Sequence, residues 1–582
     1  MAALAGVASV LLLGAASASA ANRFAEVSGD GLDPCLASDP CPIETAINSA
    51  ATNDDVTLLG GLPPAPYVTS TPLVVPSNVT VHGAIGARAV IQASGGGSEP
   101  GVKLNAGSVL RDVVVDFSGS NLAAIQLTGG GTLERVTAHG TGSTSTGGCG
   151  TLDGGTMVIR DSVCWHDGPA SANTVGGITA RNGTAVAQTL TLHNVTAISS
   201  DNGEAGIAAV RSSSGGLTIN ATNVIAFSGT GVDVTYVPGF TPTAITLDHS
   251  NYDTEADPNN VITNPGTGSP NFNQTTLPAF ADRLAGDFHQ QPTSTGTIDL
   301  GTATGVLGGE LDFDGQPRSI GPLPDIGADE LRQATATAVA CAPTSFTVGT
   351  GSTSCTATVT DTGSTPTTPT GNVGFATGGS GSFSGGGACT LSSVSPGVAS
   401  CQLSYTPTAV GTGSHQITGS YAGDTAHEPS QGSAQVGVLA RPTTTSVACS
   451  PVSVTFGAGS STCTATVTDT AGNPTAPTLN IGFATNGVGA FSSSSCTLNG
   501  SGNQASCSVV YTPSAVGTGS HQITGSYSGD PTHQASQGST LLGVTAPASF
   551  PLKAAIKHCK KKFPKGPKRK KCIKNAKNRF PA

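Results

Sequence analysis

Apolar residues in this chain alternate with Thr, Ser and charged residues over short runs, the two-residue period of a strand. One such run is Leu110-Arg111-Asp112-Val113-Val114-Val115, and relatives of it begin at Leu133, Ile159, Leu192 and, less regularly, Asn223. The residue before each Val-containing stretch falls at 112, 135, 161, 194 and 223, giving intervals of 23, 26, 33 and 29 residues. Intervals of this size, with loops of varying length, predict the coils of a parallel β-solenoid over residues 22–331, of roughly ten coils. A sandwich would give shorter paired strands with tight hairpins. Asp112, Asp161, Asn194 and Asn223 share one coil position. Short polar side chains stacked there are expected to bond turn backbone.

A second, longer repeat follows. Cys355-Thr356-Ala357-Thr358-Val359-Thr360-Asp361-Thr362 returns as Cys463-Thr464-Ala465-Thr466-Val467-Thr468-Asp469-Thr470. Ser414-His415-Gln416-Ile417-Thr418-Gly419-Ser420-Tyr421 returns from Ser520 to Tyr527. The period is 108 residues early and 106 late, the size of an Ig-like sandwich. Two modules are predicted, 332–440 and 441–546, with Cys355, Ala357 and Val359 on one face and the threonines on the other. His415 and His521 recur in register, as do His427 and His533, which favours a structural role over a catalytic one.

Composition narrows the class. Of 582 residues 10% are charged, 4% are aromatic and 79 are Gly. Such a mixture is compatible with disorder, but the alternation decides for an all-β chain of short strands. Residues 1–20 read as a signal peptide: Val7 to Ala15 is apolar and Ala18-Ser19-Ala20 is a small-residue cleavage site, although no Lys or Arg precedes the apolar run. No later stretch is long enough to span a bilayer, so the expected localisation is secreted, extracellular or cell-surface.

Fourteen cysteines, none in a C-x-x-C pair, give no sign of a zinc ribbon or a thioredoxin-type site. Disulfides in an oxidising compartment are expected. Four cysteines per module allow three pairings. Near neighbours, 11 to 14 residues apart, suit adjacent strands joined by a turn, so the expected bonds are Cys341–Cys355, Cys389–Cys401, Cys449–Cys463 and Cys496–Cys507. A Cys559–Cys572 bond would close the tail.

Charge is segregated. Residues 551–582 hold 13 Lys and Arg and no acid; the other 12 basic residues stand against 35 acidic ones, a net of −23. The candidate surface-binding residues are Lys560, Lys561, Lys562, Lys568, Arg569, Lys570 and Lys571. Pro564, Gly566 and Pro567 break helix formation, so this tail, 547–582, is expected to be a loop. The expected partner is an anionic cell-envelope polymer or glycan, with no nucleic acid.

Candidate catalytic chemistry is sparse. Cys164-Trp165-His166-Asp167 holds the only Trp beside a His and an Asp. Asp167 and His166 are the catalytic candidates of an enzyme reading, set against a turn around a packed Trp, which is preferred. Asp201 and Glu204 read as loop acids. Asp312-x-Asp314-Gly315 offers oxygens to calcium, but the further acids of an EF-hand are missing. A turn in which Arg318 pairs with Asp325 or Glu330 is preferred. No metal ligand and no cofactor is assigned.

Both ends of the first region carry a resemblance. Cys35, Pro40-Cys41-Pro42-Ile43, Ala46-Ile47-Asn48-Ser49-Ala50 and Asn78-Val79-Thr80-Val81-His82-Gly83 resemble the entry segment of secreted bacterial right-handed parallel β-helix proteins. Asp287-Phe288-His289, Ile298-Asp299-Leu300-Gly301, Asp312 to Arg318 and Asp325-Ile326-Gly327-Ala328-Asp329-Glu330 resemble the choice-of-anchor type of C-terminal segment. The modules resemble bacterial Ig-like domains. The resemblance implies a right-handed parallel β-helix, a capped first coil stapled by Cys35 and Cys41, and Ig-like spacers. Members of the family differ in function, so fold transfers better than activity. The expected role is a non-catalytic, adhesin-like or structural protein. The rival is a polysaccharide lyase or glycoside hydrolase acting on acidic glycans.

Overall fold

The computed structural model describes residues 20–29, 34–60, 65–85, 87–94, 99–119, 123–141, 147–168, 176–199, 204–229, 231–237, 241–263, 278–547 and 552–579. The leader before Ala20 and the loop acid Asp201 lie outside them.

The alternating segments form two parallel sheets. The longer path runs Asn22–Glu26, Asp55–Leu59, Thr80–His82, Ser108–Phe117, Gly131–Gly140, Gly155–His166, Gln188–Ser199, Leu217–Ser228, Ala244–Asp248 and Ile262–Thr263. A second sheet takes up the segments between them, from Leu73–Val75 through Val102–Leu104, Ile125–Thr128, Cys149–Leu152, Gly176–Asn182, Ala205–Arg211 and Val234–Tyr236 to Glu255–Ala256. Each circuit of the chain therefore adds a strand to both sheets. Inward residues stack in register: Val115, Ala138, Cys164, Ala197 and Ala226 form one such column, and all are buried in one continuous core.

The shared coil position has a backbone cause. Asp112, Asp161, Asn194 and Asn223 sit at φ of 57°, 48°, 53° and 54°, and Arg135 at 53°. Asp and Asn adopt this left-handed conformation more readily than other side chains. Each interrupts the ladder: Glu134 pairs with Arg111 and Val136 with Val113, and the pair between is skipped. Burial changes phase there, so Asp112 and Val113 are both buried. Each long strand is thus two strands meeting at a corner. The corner side chains chiefly bond one another: Arg135 donates to Asp112 at 2.7 Å, Asn194 to Asp161 at 3.1 Å and Asn223 to Asn194 at 2.9 Å. This departs from the expected bonds to turn backbone, because parallel stacking brings equivalent corners closer to each other than to the next turn.

After a short antiparallel hairpin, Phe280–Asp282 with Asp287–Gln290, the chain returns as a strap over the outer face of the longer sheet. Phe288, Phe313, Ile326 and Ala328 pack there on Val163, Trp165, Ile198, Ile225 and Phe227. Thr302 and Asn223 exchange two hydrogen bonds of 2.8 Å, and Ala328 N–H donates to Thr196 Oγ1 at 3.0 Å.

From Thr335 to Thr545 the strands are mostly antiparallel and make two modules of two five-stranded sheets each. In the first, Thr335–Ala342, Thr353–Asp361, Val398–Pro407, Gly381–Phe383 and Ser392–Ser395 form one sheet. Ser345–Thr347, Ser430–Leu439, Ser414–Tyr421, Asn372–Thr377 and Ala388–Thr390 form the other. Inward residues of both sheets, such as Val359, Tyr405, Ile417 and Val436, share one core. The second module repeats the order. By internal contacts the chain divides into two compact units. One runs through Ala334 and takes in Thr362–Pro366 and Thr425–Glu428; the other holds the remainder.

Candidate functional site

The tail is helical, which corrects the expected loop. Leu552–Lys562 and Pro567–Arg579 are α-helices, joined by a Cys559–Cys572 disulfide. The breakers are confined to the junction. Pro564 and Gly566 lie in the connection, and Pro567 takes the first helical position, where its missing N–H costs no bond. Leu552, Ile556, Cys559 and Phe563 fall at helical spacing and are half-buried or buried, as are Cys572, Ile573 and Ala576. These two apolar stripes were the overlooked signal. The disulfide bridges residues three before the end of one helix and five after the start of the next, which makes the pair a hairpin.

Folding as a hairpin concentrates the charge. Lys560, Lys561 and Lys562 occupy the last turn of the first helix, where they suit its dipole. Lys568, Arg569, Lys570 and Lys571 open the second, whose first turn has no acid. All lie at the connection end, and all but the half-buried Arg569 are exposed. The dipole of the second helix adds positive potential there rather than offsetting it.

The catalytic candidates are not brought together. His166 is 1% exposed, and its Nδ1 stands 2.6 Å from Glu204, which also accepts from Ser199 at 2.8 Å. Glu204, read as a loop acid, is thus a buried partner of His166. Asp167 instead meets His139, 3.0 Å from Nε2, while Asp116 lies 3.3 Å from Nδ1. Burial disfavours the charged ring, but the two carboxylates outweigh it and hold the His139 pKa at about 9. Trp165 is no turn residue: it lies within the strand Gly155–His166, 7% exposed beneath the strap. Phe288 meets it edge-on with ring centroids 5.2 Å apart. A cleft of about 480 Å³ beside this row is lined by Gln92, Asp116, Phe117, His139 and Thr141.

The closing motif is a knot of backbone acceptors. Asp312 Oδ1 accepts from the N–H groups of Asp314 and Gln316, at 3.0 and 2.7 Å, and its Oδ2 from Glu330 at 3.1 Å. Arg318, 1% exposed, donates to the carbonyls of Ala328, Asp325 and Gly327, each at 2.8 Å. Its ionic neighbours are farther: Glu330 at 3.7 Å and Asp161 at 3.8 Å. The Arg318–Asp325 link therefore runs through the backbone carbonyl of Asp325. Burial raises the carboxyls of Asp161 and Glu330 well above the ordinary range.

Seven disulfides link all fourteen cysteines, which fits an oxidising, extracellular setting. Cys35–Cys41 ties the entry segment. Cys341–Cys355 and Cys449–Cys463 link residues directly opposite on neighbouring strands. Cys389–Cys401 and Cys496–Cys507 instead join the two sheets of a module, a departure from the expected turn-linked strands. Cys149–Cys164, for which the sequence offered no pairing, joins the two parallel sheets through their core.

No family model and no curated protein matches the chain. Solved structures that match in part include the D0–D1 domain of intimin, 14% identical over 35% of this chain and 96% of that one, with a TM-score of 0.14. A 1.5-MDa bacterial ice-binding adhesin is 13% identical over 38% and 67%, with a TM-score of 0.16. Red sea bream transglutaminase is 12% identical over 37% of this chain and 31% of its own, with a TM-score of 0.20. Among the described residues no helix is long and apolar enough to cross a membrane.

Proposed function

We propose that this chain is a non-catalytic secreted or cell-surface protein of adhesin-like or structural character. Residues 22–331 are its right-handed parallel β-helix, and the two Ig-like modules serve as spacers or display elements. The basic hairpin holds it to an anionic polymer or glycan of the cell envelope. One observation carries this reading: a disulfide-closed helical hairpin with exposed cations crowded at one end, on a body of net charge −23. An anionic envelope repels such a body, so attraction has to come from the hairpin.

The glycan-cleaving alternative needs an acid and a base converging on one open groove. His166 is buried against Glu204, Asp167 is engaged by His139, and Trp165 is covered, so the three do not converge on one open groove.

The test compares binding of the full protein and of a form ending at Phe550 to cell-wall preparations. The full protein is expected to bind at ~0.1 M salt and to be released near 1 M, as the Debye length falls from about 10 to about 3 Å. Equal binding by both forms, or indifference to salt, overturns the anchor. Turnover of pectin, alginate or a related uronic-acid polymer, lost with Asp167→Ala, overturns the non-catalytic reading.

A further inference from the structure

We propose that His289, Asp314 and Asp329 form a binding site for a first-row divalent cation of the zinc type. The three come from separate parts of the closing segment: the hairpin strand Asp287–Gln290, the turn headed by Asp312, and the end of the Asp325–Glu330 stretch. Their ligand atoms, one imidazole nitrogen and two carboxylate oxygens, all lie within 4.8 Å of one another. Ligands about 2.1 Å from one tetrahedral ion stand ~3.4 Å apart, so side-chain shifts of about an ångström close the set.

Local structure aims each donor. Asp312 accepts the N–H groups of its own turn, which frees the Asp314 carboxylate to face outward. One Asp314 oxygen meets His289 Nε2, while the other lies 3.6 Å from Arg88. Asp287 contacts His289 Nδ1. A carboxylate on the far ring nitrogen is the usual arrangement of a metal-ligating histidine, since it fixes the tautomer that presents the other nitrogen. Asp329 is 3% exposed, and its Oδ2 accepts from Gln290 N–H at 2.5 Å. Metal binding has to displace the proton from this histidine–carboxylate group, and the deprotonated set of one imidazole and two carboxylates then matches a divalent ion. The site borders a pocket of about 390 Å³ lined by Ala281, Gln290 and Gln316, which leaves room for water as a further ligand. The imidazole selects against calcium and magnesium, which prefer an all-oxygen set.

The experiment is equilibrium dialysis and calorimetric titration of the full-length, disulfide-intact protein with Zn²⁺ at pH 7.5. Co²⁺ serves as a second probe, read by its visible absorption bands. The expected result is one saturable site that His289→Ala or Asp329→Asn weakens at least about tenfold, while His249→Ala, at a distant histidine, leaves it unchanged. Should either variant fail to fold, His289→Gln and Asp314→Asn with the Co²⁺ readout decide in its place. The proposal is overturned if the wild type shows no saturable site, if the variants bind as the wild type does, or if Ca²⁺ binds more tightly than Zn²⁺.

Discussion

His139 lies flat against Trp165, with ring centroids 3.8 Å apart and planes 6° from parallel. The two are neighbours in register on adjacent coils, so the contact reports directly on the stacking of the sheet.

Trp165 is the only tryptophan, and a stacked imidazolium quenches an excited indole by drawing charge from it. Intrinsic fluorescence should therefore rise with pH around a midpoint of about 9, the pKa at which His139 is held. Asp116→Asn or Asp167→Asn should move the midpoint down. Because the folded value lies above the ordinary 6.5, the associated stability is complete below about pH 6.5 and disappears as pH rises through 9. Asp116 and Asp167 are 41% and 33% exposed, so the loss stays under about 1 kcal/mol. An intensity flat from pH 7 to 10 would contradict this.

Arg318→Met removes three hydrogen bonds to buried carbonyls and leaves Glu330 and Asp161 without their buried cation. Breaking a buried charge network in this way costs about 3–5 kcal/mol. Calorimetry should show the first unit melting earlier. Emission from Trp165 should shift to the red as the strap lifts, and an unshifted spectrum with an unchanged Tm would refute the role given to Arg318.

Replacing Cys149 and Cys164 together by Ser opens a link that spans 15 residues of sequence. Closure entropy for such a loop is worth about 3 kcal/mol. Denaturant unfolding should show that loss in the transition followed by Trp165, with the transition of the modules unmoved.

Tyr405 and His415 share a buried hydrogen bond of 2.8 Å, and Tyr511 and His521 share its counterpart at 2.8 Å. Tyr405→Phe should cost about 1–3 kcal/mol by leaving an imidazole nitrogen unsatisfied. Tyr511→Phe should cost a similar amount in the second module. Thermal melts of the two variants that differ from wild type by less than 1 °C would show the pair to be unimportant.

Helices of 11 and 13 residues are marginal in water when isolated. A Cys559→Ser, Cys572→Ser double variant of a tail peptide should therefore lose most of its signal at 222 nm relative to the oxidised form. Equal helicity in both would show that the bond does not organise the hairpin.

The all-β character was legible because alternation is a local property: Leu110, Val113 and Val115 declare their faces without reference to distant residues. The tandem modules were legible through repeated segments such as Thr353–Asp361 and Ser461–Asp469. The αL corners left a trace as recurring Asp and Asn, yet their bonding partners are other corners 23 to 33 residues away, a relation no single segment contains. Glu204 and Cys149 were missed for the same reason, since their partners His166 and Cys164 lie on another strand. In the tail, two prolines and a glycine outweighed a short apolar stripe that only a helical wheel would bring together.

The strap also limits how this chain can change over generations. A stack of coils ordinarily lengthens by duplication, since an inserted coil finds equivalent neighbours above and below. Here Glu310 meets Arg160, Ala328 meets Thr196 and Thr302 meets Asn223, on three successive coils. An extra coil between them would separate these anchor points by about 4.8 Å and break at least one. The gauge reaches further toward the entry as well, since Asp314 and Phe313 of the strap meet Arg88. Relatives of different length should therefore carry their insertions before Arg88 and keep the span from Arg88 to Asn223 at a constant number of circuits.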